Sequence, residues 1–234
     1  MNNFTIIIPI YNESDSIFNL IDEINKEFKK FSPEVLIVND GSTDNFESEK
    51  KKIIKKVKVI DHQKNLGKCK AMLTGVKSAK YDIICVIDGD GQNPPYEIKK
   101  MISYWEDIPK DWKKFSIICG NRKKRKDTVL KKLSSKVANK IRKLVLKDDC
   151  NDTACALKVF RKQDYLKLDY FRNMHRFLPA LFKMNGGKVL NVLVDDRERL
   201  AGVSKFDFNN RFWIGIADLY RVWILIKKRR ENEY

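Results

Sequence analysis

The sequence predicts an α/β fold: a mostly parallel sheet with helices flanking it. Two observations carry that expectation. Short apolar runs alternate with stretches of helical periodicity along the 234 residues, the order expected of parallel strands joined by right-handed crossovers. The apolar run Ile83–Ile87 then stops at Asp88-Gly89-Asp90-Gly91-Gln92. Two carboxylates therefore stand just past a strand's carboxyl end, where open α/β sheets place their ligands.

The elements follow in order. Residues 4–10 (FTIIIPI) read as a strand, and from Ser14 the residues Ile17, Leu20, Ile21, Ile24 and Phe28 have helical spacing, with Ser14 or Asp15 able to cap. Residues 34–40 (EVLIVND) form the next strand, a polar helical stretch follows Asp44, and 57–61 (VKVID) form a third. A helix over 67–79 precedes the strand IICVID. Another over 95–105 precedes the strand 115–120 (FSIICG).

The second half is less regular. Residues 128–146 read as a basic helix with Val129, Leu133, Val137, Ile141 and Leu144 along one side. Strands are expected at 154–160 and 188–194, with a helix around 177–183 between them. The tail, 211–230, predicts a helix rich in large apolar and aromatic residues. Trp213, Tyr220 and Trp223 beside a basic KKRR end fit a helix lying in a membrane interface. Docking on the core or on a second subunit fits the same pattern equally.

Composition narrows the class. The chain is 43% hydrophobic and 34% charged, as globular proteins are, with no run near the roughly 20 apolar residues that span a bilayer. Five cysteines without a CxxC pair and only two histidines, His62 and His175, argue against a structural zinc site and for a reduced, cytosolic compartment. The N-terminal apolar stretch lacks a basic leader and reads as a strand, not a signal peptide. The formal net charge is +17, and residues 120–147 hold twelve Lys/Arg against one acid, Asp127. Such a patch favours phosphorylated substrates, anionic headgroups or nucleic acid. No aromatic-spaced RNA module, zinc finger or basic zipper is present to turn charge into nucleic-acid recognition, so none is expected.

If the first, second and fourth strands run parallel, Asn12-Glu13, Asp40-Gly41-Ser42 and Asp88-Gly89-Asp90 emerge along one edge. An acidic rim on a basic protein fits a nucleotide and a divalent ion: two neighbouring acids resist joint ionisation unless a cation lies between them. Oxygen ligands suit Mg²⁺ or Mn²⁺, and Mg²⁺ commonly arrives with substrate phosphates. Other readings of the Asp-Gly pairs are weaker. A simple turn accounts for one pair, while an EF-hand would need Gly and Glu where Asn93 and Lys99 stand. Neither GxGxxG nor a P-loop is present.

Taken together, the motifs resemble family 2 glycosyltransferases of GT-A, Rossmann-like fold, in the polyprenyl-phosphate branch typified by dolichyl-phosphate mannosyl- and glucosyltransferases. The matching segments are 8–13 (IPIYNE), 38–44 (VNDGSTD), 65–68 (NLGK), 88–95 (DGDGQNPP), 120–122 (GNR), Asp152-Thr153, 174–180 (MHRFLPA) and 202–206 (GVSKF). The resemblance implies that Pro9, Tyr11, Glu13, Asp40 and Asp88 line a nucleotide pocket. It implies that Asp88, Asp90 and Gln92 hold the divalent metal, Mg²⁺ or Mn²⁺. Arg199 and Lys205 would close over the donor's diphosphate, while Arg122, Lys131 and Ser135 would meet the acceptor's phosphate. Asp90 and Arg122 would then be the residues on which catalysis depends.

The expected partners are a nucleotide-sugar donor, a polyprenyl-phosphate acceptor and anionic lipid at the membrane surface. Residues 1–207 would form the catalytic domain and 208–234 a membrane-associating helix and basic tail. A phosphate nucleophile is already anionic, so no strong general base is required, and His175 keeps no assigned role. Two departures stand out: Glu198 replaces a common Pro, and Asp195-Asp196 stands where relatives are often basic. A glycan acceptor on the same fold, or a nucleic-acid-binding protein, are the alternatives.

Overall fold

The computed structural model describes residues 3–123, 140–198 and 208–231. Seven strands, β1 (Phe4–Ile10), β2 (Glu34–Asn39), β3 (Lys58–Asp61), β4 (Ile83–Val86), β5 (Ile117–Arg122), β6 (Lys158–Arg161) and β7 (Val189–Val194), make one sheet. Their order is β3-β2-β1-β4-β6-β5-β7. Every pairing is parallel except those of β6, which runs against both β4 and β5. The helices are α1 (Ser14–Glu27), α2 (Phe46–Glu49), α3 (Lys68–Ser78), α4 (Pro95–Asp107), α5 (140–146), α6 (Lys162–Leu166), α7 (Leu178–Met184) and α8 (Phe208–Glu231).

Strand alternation splits the core into two layers. From β1, Phe4, Ile6, Ile8 and Ile10 face α1 and α4, where Ile17, Leu20, Ile21, Ile24, Ile98, Met101 and Trp105 meet them. Ile7 points the other way, toward α3, α7 and α8, into a layer holding Met72, Val76, Leu181, Phe182, Val222 and Ile226. A strand covered on both faces reads as a continuous apolar run, which is why FTIIIPI does not alternate. Burying each such side chain contributes roughly 1.5–3 kcal/mol. That outweighs the weak helix propensity of the isoleucines in α1, a few tenths of a kcal/mol each. Helix α3 lies directly on β1 because Gly75 carries no side chain: a Cβ there would sit 2.6 Å from Ile7 Cγ2.

Several expected boundaries move. β5 begins at Ile117, not 115, because Phe115 is left-handed (φ 51°) and gives its N–H to Asp164 Oδ2 at 2.9 Å. The strand expected at 154–160 is ordered as β6 only from Lys158, since Lys158 Nζ turns back onto the carbonyls of Thr153 and Cys155. The polar stretch after Asp44 yields only α2 and a short 3₁₀ turn, Lys50–Lys52. Neither Ser14 nor Asp15 caps α1; the Ser14 N–H is satisfied from a distant loop, by Asp44 Oδ2 at 2.9 Å. Of the basic helix expected over 128–146, residues 140–146 are described and are helical; the rest lies outside the described residues. No helix among the described residues is long and apolar enough to cross a membrane.

Candidate active site

Parallel pairing of β2, β1 and β4 delivers the three acidic motifs to one edge, as the alternation predicts. The first two stitch each other together. Asn12, left-handed at φ 55°, gives its backbone N–H to Ser42 Oγ (2.9 Å), and its Oδ1 accepts the Thr43 N–H (2.7 Å). Gly41 makes the turn possible: φ is 70°, and a Cβ would lie 2.5 Å from the Lys64 backbone.

Asp40 is 3% exposed and works inward. Its Oδ1 accepts the Leu66 N–H (3.0 Å) and lies 2.7 Å from His62 Nδ1, while Oδ2 accepts the Gly67 N–H (2.7 Å). A carboxylate only accepts, so His62 Nδ1 carries a proton, and Nε2 lies 2.9 Å from the Thr74 hydroxyl oxygen. Asp40 therefore fixes the 65–67 loop ahead of α3. His62 escaped the sequence reading, yet strand register held the signal. Asn39 pairs with Asp61 across β2 and β3, so one residue further on Asp40 meets His62.

The 88–92 loop is held from three sides. Ser16 Oγ donates to the Gly89 carbonyl at 2.7 Å. Arg197 donates from Nε to the Gly91 carbonyl and from its backbone N–H to the Gln92 carbonyl (2.5 and 3.0 Å), and its Nη2 pairs with Glu23 at 2.7 Å. Of the two arginines in the Arg197-Glu198-Arg199 segment, Arg197 thus braces the acidic loop. Asp90, 4% exposed, accepts the Gln92 N–H at 3.0 Å. Asp88 is more open and forms an ion pair with Lys68, the first residue of α3.

The donor set fits a hard divalent ion. Asp88, Asp90 and Gln92 are oxygen donors on one short loop, and among the described residues no group of three or more His, Cys, Asp or Glu is gathered where it could hold a metal. Mg²⁺ is held in this way, through one or two carboxylates, with water and phosphate supplying the remaining oxygens.

Beside this loop, the ends of β5 and β7 bring Arg122 to two acids. Its Nε and Nη2 bond Asp152 at 2.7 and 3.1 Å, and Nη1 lies 3.8 Å from Asp196. The side chain is 13% exposed. Burial works to lower the guanidinium's pKa, but the Asp152 hydrogen bonds and the nearby acids prevail and raise it, so the charge is fixed. Arg142 braces the loop that carries Asp152, donating to Thr153 Oγ1 and to the Cys150 carbonyl and pairing with Asp148. Asp195 takes Lys123 (3.1 Å) and the Tyr96 hydroxyl (3.1 Å), which hold its pKa low.

The remaining expected site residues sort by position. Pro9 is buried at the end of β1, Tyr11 is exposed and Glu13 half-buried beside it. Lys131, Ser135, Arg199 and Lys205 lie outside the described residues. His175 is tied to α3: its Nδ1 lies 3.0 Å from Cys69 Sγ, and its backbone N–H reaches the same sulfur at 3.3 Å. Burial raises the Cys69 thiol's pKa.

This edge, with acids and cations brought together at the strand ends of a mostly parallel sheet, is that of a GT-A sugar-transferase fold. Residues 5–168 match glycosyl transferase family 2, and the chain belongs to that family. Among curated proteins it is 28% identical over 232 residues to dodecaprenyl-phosphate galacturonate synthase of Rhizobium johnstonii, covering 95% of this chain and 67% of that protein. It is 25% identical over 217 residues to undecaprenyl-phosphate 4-deoxy-4-formamido-L-arabinose transferase of Proteus mirabilis, covering 89% and 64%. The chain thus spans about two thirds of the length of these relatives. Among solved structures it shares its fold with glucosyl-3-phosphoglycerate synthase of Mycobacterium tuberculosis in complex with Mn²⁺ and UDP. The TM-score is 0.70 at 12% identity, over 96% of this chain and 80% of that one. Mannosyl-3-phosphoglycerate synthase of Rubrobacter xylanophilus has a TM-score of 0.67 at 12% identity, over 100% and 76%.

Proposed function

We propose that this chain transfers a sugar from a UDP- or GDP-linked donor to a polyprenyl phosphate such as undecaprenyl phosphate, inverting the anomeric carbon and releasing the nucleoside diphosphate. The observation that carries this reading is the juxtaposition at one sheet edge of the braced 88–92 acidic loop with the permanently charged Arg122. The two curated relatives, named for sugar transfer to polyprenyl phosphates, support the acceptor class.

In this reading Asp88, Asp90 and Gln92 hold Mg²⁺ or Mn²⁺. When bound, that ion supplies Lewis acidity toward the departing diphosphate. Pro9, Tyr11 and Glu13 bound the nucleotide pocket, and Asp40 contributes through the 65–67 loop that its carboxylate holds. Arg197 keeps the acidic loop in place. Arg122 keeps its Nη1 edge beyond hydrogen-bond reach of Asp196, at 3.8 Å, and we assign that edge to the acceptor's phosphate. Lys131 and Ser135 complete the acceptor side, while Arg199 and Lys205 cover the diphosphate. The acceptor oxygen is anionic, so the chain supplies no strong base: it positions two anionic partners and preorganises charge for the one that leaves.

A polyprenyl acceptor lies in a membrane, and α8 offers a surface for it. One face is docked on the core through Val222 and Ile226, with Asn173 donating to Asp218 Oδ2 at 3.0 Å. The other exposes Ile216, Tyr220 and Trp223, with Lys227 over the Trp223 ring. Helix α5 exposes Ile141, Leu144 and Val145 among lysines. We assign these faces to peripheral contact with anionic lipid on the cytoplasmic side, a reduced setting in keeping with five free, buried cysteines.

The test is a panel of radiolabelled UDP- and GDP-sugars offered with undecaprenyl phosphate and Mg²⁺. Label entering the organic phase with wild type, and absent with Asp90→Ala, supports the assignment. Label passing only to a soluble glycan overturns the acceptor.

A further inference from the structure

Lys68 is at odds with its surroundings. It opens α3, whose first turn contains no acid, so a cation stands at the helix end where the backbone dipole is positive and anions are favoured. An ammonium in that position needs a local partner, and the structure supplies Asp88. Within the proposed ion site, the two carboxylates are therefore in different states. Asp90 is buried and bonded to the Gln92 backbone within its own loop. Asp88 is paired with a side chain from another element, and both partners are about a third exposed, at 33% and 34%.

We propose that Lys68 is a resident counter-ion: it neutralises Asp88 while the donor is absent and has to leave that carboxylate before a divalent ion is gripped. The inference rests on the function proposed above and adds a residue to which that reading gives no role. The backbone ahead of Lys68 is fixed by the Leu66 and Gly67 N–H bonds to Asp40, whereas its side chain and that of Asp88 are each about a third exposed. An exposed pair of this kind is weak and readily exchanged. A resident ammonium also removes the repulsion that two neighbouring carboxylates would otherwise suffer in the empty site. The consequence is an order of events. Ion binding to nucleotide-free protein is penalised by competition with Lys68, and the extra negative charge of a diphosphate tips the exchange, so ion and donor arrive together.

The experiment measures Mn²⁺ binding to the full chain without nucleotide, by electron paramagnetic resonance of the free ion, with circular dichroism to verify folding. Lys68→Met, which removes an unfavourable charge from the helix start, is expected to bind Mn²⁺ roughly fivefold more tightly than wild type, the upper range for losing an exposed pair. Lys68→Arg keeps the charge and is expected to match wild type. Adding Asp90→Asn to Lys68→Met is expected to abolish the gained binding. If Lys68→Met binds no more tightly than wild type while Asp90→Asn still weakens binding, the counter-ion role is overturned and the ion site stands. If Asp90→Asn changes nothing in either background, the ion site itself is overturned, and Lys68's role with it.

Discussion

Asp40 and Arg122 illustrate how single residues set this site without facing outward. Asp40 holds a loop backbone through two N–H bonds and one imidazole, and the loop in turn launches α3 and Lys68. Arg122 balances Asp152 and Asp196, whose side chains are 6% and 9% exposed. Removing one partner of a buried ion pair strands the other's charge, at a cost of about 3–5 kcal/mol. Arg122→Met is therefore expected to lower the urea unfolding free energy by about that amount, and Arg122→Lys by less, since charge survives but the two-pronged geometry does not. A neutral result for Arg122→Met would show that the acids are solvated rather than dependent on Arg122. At Gly41, an added Cβ meets backbone at 2.5 Å and φ is positive, so Gly41→Ala is expected to destabilise the fold by about 1–3 kcal/mol. An unchanged unfolding curve would contradict the close approach described here.

Among the elements, what was legible in the sequence depended on periodicity. β1, α1, α3, α4 and α7 carry unbroken apolar patterns, and they form within a few residues of the expected places. Two of the misses have a different cause: contacts from distant segments decided them. Phe115 leaves the strand pattern because Asp164, 49 residues away, takes its N–H, and α1 is capped by Asp44 from the second strand's loop. No local window contains either fact. The acidic rim was legible because strand ends and parallel pairing dictate it. Its bracing by Arg197 and Glu23, 174 residues apart, was not. Helix α8 docks one face on the core and exposes the other, which the apolar pattern alone did not separate. Tyr220→Ser with Trp223→Ser is therefore expected to leave stability within about 0.5 kcal/mol of wild type and to reduce cosedimentation with vesicles rich in anionic lipid several-fold. Retained sedimentation would remove α8 from the membrane contact. Val222→Asn, on the docked face, is expected to do the reverse: destabilise the fold and spare vesicle binding by the molecules that remain folded.

For the molecule as a whole, the buried thiols of Cys85, Cys119 and Cys155 make a pH signature, opposed only by Cys150, whose pKa is lowered by its hydrogen bond with Cys119. Burial raises the Cys85 thiol's pKa, and pushes that of Cys155 from its ordinary 9.0 to about 11; Cys119 is raised as well, chiefly by its hydrogen bond with Cys150. A folded pKa above the unfolded one favours the protonated thiol in the fold. The stabilisation is complete below the unfolded value and disappears as pH rises through the folded one. Stability is thus expected to fall between about pH 9 and 11, and a thiol reagent at pH 8 is expected to label the chain only as fast as it opens. Rapid stoichiometric labelling of the native protein would contradict this picture of the core.

Whether Asp88 and Asp90 hold a divalent ion against a nucleoside diphosphate is read by calorimetry of UDP and GDP with and without Mn²⁺. At least one of the two nucleotides is expected to bind wild type tenfold or more tightly with the ion present, and Asp90→Asn is expected to lose that gain. Equal affinity in chelator and in Mn²⁺, with wild type and Asp90→Asn indistinguishable, would contradict that role.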